Sequence, residues 1–447
     1  MKAAAAPEPG ASAASAPESG RVRWLPTPAL GAAVGTVAAL LAGAVLLSRQ
    51  DLLVLAMPLA AGTVLPLLDR ARRGPTVRLG IGAGTLFEGQ STTFSQQVQG
   101  ADGLDVIRLR SYLKGHLELP DGGQDVCTAA GPGGAVTLGH RLVASRWGRS
   151  QLGVLSTSAT TAHGLLRATG AGAPEPVSVA TIPLRAEFSA TEQVPAARGI
   201  VGGHRSRVVG EGIDPAGVRP FVVGDRLRRI NWPVSLRTGD LHVTATYSDR
   251  DTEVVLVLDT AVDVGVSAGA GSASNLDVAV RAAASIAEHY LRHGDRVGLL
   301  DLGRAGRPVR SRTGRTHLFR LVDILLDVRA APISEVAAGR AMARIGDRAL
   351  VIVLSPLLTA DVAAQAAWLA RAGRSVLVVD TLPADVVLPQ NGPWTDLAWR
   401  LELIERDTLS GALAELGVPV VPWLGSGSLD QVLMGLSRTA RAARVHR

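Results

Sequence analysis

Hydrophobic and polar positions change their rhythm several times along this chain. Two nearly unbroken apolar runs come first, residues 28–47 and 52–68. Each is close to the length a helix needs to cross a bilayer. Only Ser48, Arg49, Gln50 and Asp51 lie between them, so the pair predicts a tight helical hairpin over 27–68. From 76 to 188 the apolar runs shorten, carry β-branched residues and are broken by Gly and Asp clusters such as Asp121-Gly122-Gly123. Runs at 92–98, 104–109, 135–142 and 177–184 read as strands, and their spacing predicts a β-rich, sandwich-like domain.

The period changes again at Glu253. A continuous apolar strand at 253–258 ends on Asp259, and helical spacing over 276–293 follows, with Asn275 as its expected cap. Further strands are expected at 296–302, 348–354, 375–379 and 418–421, and further helices at 317–326, 359–372, 407–416 and 429–443. Strands that alternate with helices predict an α/β fold over 251–447, a parallel sheet with helices on both faces. Residues 1–26, rich in Ala, Pro, Ser and Gly, cannot bury a core and are expected to be disordered.

Between the two soluble regions, residues 189–250 carry a linker and then a dense segment. It contains Arg219, Phe221, Gly224, Asp225, Arg228, Ile230, Asn231, Trp232, Arg237, Gly239 and Leu241. Gly-Asp pairs are turn chemistry, and arginines pair with carboxylates and stack on aromatic rings. The segment therefore reads either as a structural clamp, with Trp232 buried between the neighbouring domains, or as a partner site. Those residues at that spacing resemble the signature of the bacterial family called domain of unknown function 58. Phe221 stands where Tyr is usual in it, and Pro233 where a basic residue is usual. The resemblance implies a membrane hairpin, a β-rich domain, this motif and a von Willebrand A-like domain. It also implies a MoxR-type AAA+ ATPase as partner, and in actinobacteria a membrane transglutaminase-like protein.

Composition narrows the classes. The chain has 447 residues, 47% of them hydrophobic, which agrees with a membrane part. Its net charge of +7 comes almost wholly from arginine, Lys2 and Lys114 being the only lysines. Aromatics make up only 3%, too few for the stacking platforms of a nucleic-acid binder. One cysteine, Cys127, excludes an internal disulfide framework and a Cys-rich zinc site. Arg21 and Arg23 precede the hairpin and Arg70, Arg72 and Arg73 follow it, which predicts a multi-pass protein of the cell membrane with both flanks and the soluble domains in the cytoplasm. A cleaved signal peptide is the competing reading of the first run, with 42–44 as the cleavage site, but the second apolar run follows at once.

Candidate chemistry is sparse. Von Willebrand A domains hold Mg²⁺ through Asp-x-Ser-x-Ser and later Thr and Asp residues, oxygen donors a hard cation needs. The corresponding stretch here runs from Asp259 to Asp263, with Ala261 in between, and Ser355-Pro356 stands where the later Asp belongs. The expectation is a degenerate site in a domain that needs no metal or other cofactor. Gly265-Val266-Ser267-Ala268-Gly269 matches the hydrolase elbow pattern in letters, yet that Ser must sit on a strand-to-helix turn. Cys127 could pair with His116, His140 or His163 as a thiol–imidazole couple. A hydrolase using Ser267 or Cys127 is thus the rival to a non-enzymatic membrane scaffold. No P-loop lysine is available for nucleotide hydrolysis. Arg304, Arg307, Arg310, Arg312 and Arg315 make a basic cluster in the expected loop 302–316, and Arg310 and Arg312 are the candidate partner contacts.

Overall fold

The computed structural model of the protein describes residues 23–71, 74–129, 135–169, 174–184, 209–222, 227–247, 253–267, 273–303, 308–347, 349–388 and 392–424. The linker before 209, Gly224, Asp225, the expected helix 429–443 and most of the N-terminal stretch lie outside these residues. The chain divides into two compact units, Met1–Ile182 and Pro183–Arg447.

The first unit opens with a short strand, β1 (Trp24–Pro26), and then the hairpin, α1 (Pro28–Leu46) and α2 (Asp51–Leu68). Pro28 suits the first turn of α1, where its missing N–H costs nothing. Inside α2, Pro58 and Pro66 interrupt the hydrogen-bond ladder, a feature tolerated in membrane helices. Both helices are long and apolar enough to cross a membrane. Only Ala44 in α1 and Ala56 in α2 are buried, so the apolar side chains face outward almost all round.

Ten further elements build the rest of this unit: β2 (Thr76–Ile81), β3 (Thr85–Phe87), β4 (Ser91–Gln99), β5 (Leu104–Lys114), β6 (Leu117–Glu118), β7 (Asp125–Ala129), β8 (Ala135–Ala144), β9 (Gly148–Thr161), β10 (Leu166–Thr169) and β11 (Val177–Ile182). One sheet has the order β2-β4-β8-β6. The other is organised on β9, which pairs with β5 along one edge and with β11 and β10 along the other. Burial alternates along β4, where Phe94, Gln96 and Val98 point inward, as period-two strands with one wet face require. Side chains of both sheets meet in shared cores: Val77 and Val98 with Ile107, Leu109 and Val154, and Phe94 and Leu142 with Leu152 and Val179.

In the second unit β12 (Val209–Pro220) and β13 (His242–Tyr247) form an antiparallel ribbon, with a one-turn 3-10 segment at Leu227–Arg229 and α3 (Trp232–Thr238) between them. The α/β part follows as β14 (Glu253–Leu258), α4 (Asn275–Arg292), β15 (Arg296–Asp301), β16 (Pro308–Arg312), α5 (Arg315–Leu325), α6 (Glu335–Ala343), β17 (Leu350–Ser355), α7 (Ala360–Arg371), β18 (Ser375–Asp380), α8 (Thr395–Glu415) and β19 (Val420–Pro422). The sheet order is β16-β15-β14-β17-β18-β19. Every pair is parallel except β15–β16. Val255, Val257, Val351, Val353, Val376 and Val378 pack on one side with Ala338, Met342, Val362 and Ala366 of α6 and α7. Strand alternation turns Val254, Leu256 and Leu258 to the other side, where they are equally buried and α4 lies along β14, β15 and β17.

Several expectations need correction. The cap of α4 is Ser274, not Asn275: Ser274 Oγ accepts the Asp277 N–H while Asp277 Oδ2 accepts the Ser274 N–H. Asn275 instead braces the preceding loop, accepting the Val264 N–H and donating to Val262 O. The expected loop 302–316 contains β16, an edge strand that a Pro-Val-Arg-Ser-Arg sequence does not announce. Helix α8 starts at Thr395 rather than 407; the apolar residues of its first half, Leu397, Leu401 and Ile404, keep helical spacing but face outward.

Candidate functional site

Parallel sheets gather functional loops at the carboxyl ends of their strands, and the polar side chains of this sheet converge there. Asp259, next after β14, is buried, and its N–H bonds Leu354 O of the neighbouring strand at 2.9 Å. Ser355 Oγ donates to Asp259 Oδ2 at 2.5 Å, and the Ala261 N–H donates to Oδ1 at 3.1 Å. Ser355 Oγ in turn accepts the Leu357 N–H at 2.9 Å. Burial pushes the Asp259 carboxyl above the ordinary carboxylate range; the Ser355 and Ala261 hydrogen bonds pull it down, and Asp361 adds to the rise. Thr260 Oγ1 donates to Asp301 Oδ1 at 2.7 Å and accepts the Gly303 N–H at 3.0 Å. A Cβ at Gly303 would stand 2.4 Å from that hydroxyl, so only glycine lets the chain pass so close. Arg406 pairs with Asp380 at the end of β18 and donates to Pro356 O, closing the row. Asp301 Oδ2, Thr359 Oγ1 and Thr381 Oγ1 are buried with no hydrogen-bond partner among the described residues.

This edge does not fit a Mg²⁺ cage. Ala261 brings no side-chain oxygen, both oxygens of Asp259 are engaged, Asp263 and Thr313 are exposed in separate loops, and Thr316 is exposed on the first turn of α5. Among the described residues no three His, Cys, Asp or Glu side chains gather into a metal-binding group. The Asp259–Ser355 pair has the chemistry of a base beside a hydroxyl, but both groups are buried.

The other candidate is the arginine- and Trp-bearing segment. Its fixed residues do local structural work. Asn231 caps α3 by accepting the Val234 N–H at 3.3 Å, and its own N–H reaches His242 O at 2.8 Å. Ser235 Oγ donates to Asn231 O and accepts the His242 N–H, locking the short helix onto β13. Gly239 ends the helix at φ +81°, the left-handed conformation glycine reaches without strain. Phe221 N–H bonds Leu241 O, and Ile230 bridges to the buried Val243. Arg219 donates to its neighbour's carbonyl, Pro220 O, and Arg237 is exposed on the last turn of α3. Arg228 lies in the 3-10 turn. Trp232 is 58% exposed on α3, and with Leu236, one turn on, it makes an apolar pair turned away from the ribbon.

The remaining candidates are not brought together. Ser267 follows Val266, whose N–H bonds Val387 O, and among the described residues no strand leads directly into it, β14 having ended at Leu258. Cys127 is exposed on β7 opposite Arg108. His140 faces Phe94 in the other sheet, while His116 and His163 sit in turns outside the strands. Arg310 and Arg312 share the exposed face of β16, and Arg312 pairs with Val297 near the amino end of β15. They therefore stand on a sheet edge and not in a carboxyl-end loop. Sequence reasoning missed a feature of α8: Trp394, Leu397, Leu401 and Ile404 are 73%, 51%, 57% and 63% exposed. Their three-four-three spacing, visible in the letters, puts them in one stripe.

Comparison with known proteins places a family on part of this chain. The family described as "Protein of unknown function DUF58" matches residues 217–398. An uncharacterized protein of Mycobacterium bovis and uncharacterized proteins of two Mycobacterium tuberculosis strains are each 28% identical over 253 residues, 55% of this chain and 72% of theirs. Among solved structures, macromomycin is 20% identical with a TM-score of 0.12, covering 23% of this chain and 97% of its own. The native conformation of Escherichia coli alpha-2-macroglobulin is 10% identical with a TM-score of 0.17, covering 82% of this chain and 22% of its own. Scores so low support no structural argument.

Proposed function

We propose that this chain is a membrane-anchored, non-catalytic scaffold whose α/β unit docks a MoxR-type AAA+ ATPase. The observation that carries the reading is the stripe of Trp394, Leu397, Leu401 and Ile404 on α8. A soluble surface seldom leaves a Trp and three aliphatic side chains aligned and open to water unless something covers them. The strand order, with a reversed edge strand beside an otherwise parallel sheet, supports a von Willebrand A-type fold, and the shared cores of the two β sheets support a sandwich. Such a fold works here through its surface, and without Mg²⁺, because Asp259 is committed to Ser355 and Ala261. A membrane transglutaminase-like protein is a second partner in the same assembly. Arginine on both flanks of the hairpin orients both soluble units toward the cytoplasm.

The test is copurification of the ATPase from native membranes with the full chain and with Leu401→Glu/Ile404→Glu. Two charges at the centre of the stripe should abolish capture and leave the melting temperature of the chain unchanged. Equal capture by the double variant would sink the docking reading. Added Mg²⁺ should leave the melting temperature where it is, whereas a saturable rise, lost in Asp259→Ala, would reveal a working site.

A further inference from the structure

The hairpin is joined to the β-rich unit with almost no slack. On one side β1 pairs with β10, Trp24 opposite Ala168 and Pro26 opposite Leu166. Thr27 comes next, and its N–H bonds Leu165 O while its hydroxyl reaches Gly164 O at 2.8 Å and Leu165 O at 3.0 Å. Helix α1 starts at the following residue. On the other side α2 ends at Leu68, and Ala71 is already buried in the unit's core, its N–H bonded to Thr161 Oγ1 at 3.1 Å. Only Asp69 and Arg70 intervene. Three residue steps span at most about 10 Å, and each headgroup layer is roughly 5–8 Å thick.

We propose that the end of the β-rich unit holding Gly103, Thr161 and the Ala162–Leu165 turn rests directly on the phosphate layer of the bilayer, with no stalk between. The proposal rests on α1 and α2 spanning the membrane. Its chemistry fits a phospholipid surface. Arg70 is exposed two residues past the end of α2, where a guanidinium can bind lipid phosphate in a fork. His163 is exposed at the tip of the turn, whose backbone runs through φ +57°, +56° and +79° at Ala162, His163 and Gly164. The Gly164 N–H is fixed by Asp105 Oδ2 at 2.7 Å, so the tip is held in place. Asp69 and Asp102 are exposed at the same end, which makes the recognised group the phosphate itself and not net negative charge.

Depth-resolved quenching tests this on the full chain. In a Cys127→Ser background, single fluorophores are placed at His163→Cys, at Asp102→Cys, at Lys114→Cys and at Leu55→Cys of α2. Lys114 lies opposite Gln151, ten residues from Thr161 along β9, about 33 Å away. The protein is reconstituted in phosphatidylcholine–phosphatidylglycerol vesicles with nitroxide on the headgroup or in the acyl chain. Headgroup nitroxide should quench the His163 and Asp102 positions several-fold more than Lys114, and acyl-chain nitroxide should quench Leu55. If Leu55 is quenched while both junction labels behave like Lys114, the unit stands off or lies on its side and the proposal is wrong. If Leu55 is not quenched, the spanning reading fails first and takes the proposal with it. Agreement of Asp102 with His163 guards against a turn distorted by the His163 substitution.

Discussion

Helices α1 and α4 are nearly equal in length, 19 and 18 residues, and they solve the same problem in opposite ways. Helix α4 buries fourteen side chains, and Leu276, Ala283, Ile286 and Tyr290 are almost wholly covered by protein. Helix α1 buries one, Ala44. Both present apolar surface that water would penalise, so α1 needs a different solvent, which on the spanning reading proposed above is the bilayer. Their ends differ in the same sense. A reciprocal Ser274–Asp277 capping box starts α4, whereas the side chain of Thr27 ignores its own helix and bonds the β-rich unit. A buried helix is specified by its packing and caps, while a spanning helix is specified by bulk hydropathy and by what holds its two ends.

The largest effects should come from exchanging these solvents. Val34→Arg places a charge on the exposed apolar surface of α1, which on the spanning reading costs about 2.5–3.5 kcal/mol on insertion scales. The fraction of chain resisting carbonate extraction should fall sharply. Ile286→Ala in α4 leaves a cavity worth about 2–5 kcal/mol, read as a lower urea midpoint. The reverse pairing should be mild: Val34→Ala ought to leave both readouts close to the starting protein. If Val34→Arg stays fully membrane-integrated, α1 is not in hydrocarbon.

A pH effect comes next, the contribution of His289 in α4. Burial, with His293 nearby, holds the His289 imidazole down at about 4. In the unfolded chain it titrates near 6.5. Between these values the unfolded chain binds the extra proton, so stability is full above about 6.5 and falls as pH drops toward 4. The His289 contribution to the denaturation midpoint of the α/β unit should decline over that window, read as the difference from His289→Gln. His289→Gln should flatten the decline; an unchanged slope would assign it to other groups.

How much of this was legible follows the same division. The hairpin could be read because two adjacent apolar runs of bilayer length suit few folds besides a pair of spanning helices, and its ends came within a residue or two. Strands such as β14 and β17 could be read because nearly all their side chains are apolar, which only a doubly covered strand needs. The ribbon and helix around Asn231 and Trp232 could not, because a seven-residue helix has no periodicity to show and depends on Asn231 and Gly239 in three dimensions. The Asp259–Ser355 bond joins residues 96 positions apart, and the Thr260–Asp301 bond joins residues 41 apart. Topology alone brings such pairs together. Strand β1 was hidden for a further reason. Trp24, Leu25 and Pro26 sit at the end of a low-complexity stretch, and their partner strand lies about 140 residues away.

Capping separates the two helices at lower energy. Ser274→Ala removes the acceptor for the Asp277 N–H and should cost about 1 kcal/mol, with faster amide exchange in the first turn of α4. No such cap exists on α1.

The smallest effect is the most informative about the junction. Thr27→Val keeps the shape of the side chain and removes the hydroxyl that reaches Gly164 O and Leu165 O. Hydrogen bonds of this kind contribute about 0.5–1.5 kcal/mol net, and the backbone bond from Thr27 N–H to Leu165 O survives the change. The helicity of α1 should be untouched, since the lost group never capped it. The pairing of β1 with β10 should loosen instead. Amide exchange should rise at Arg167, the ladder partner of Leu25, and remain slow at Leu152 in the middle of β9. If exchange rises in α1 and not at β10, Thr27 serves its helix after all, and the contrast between a capped buried helix and a pinned spanning one is lost.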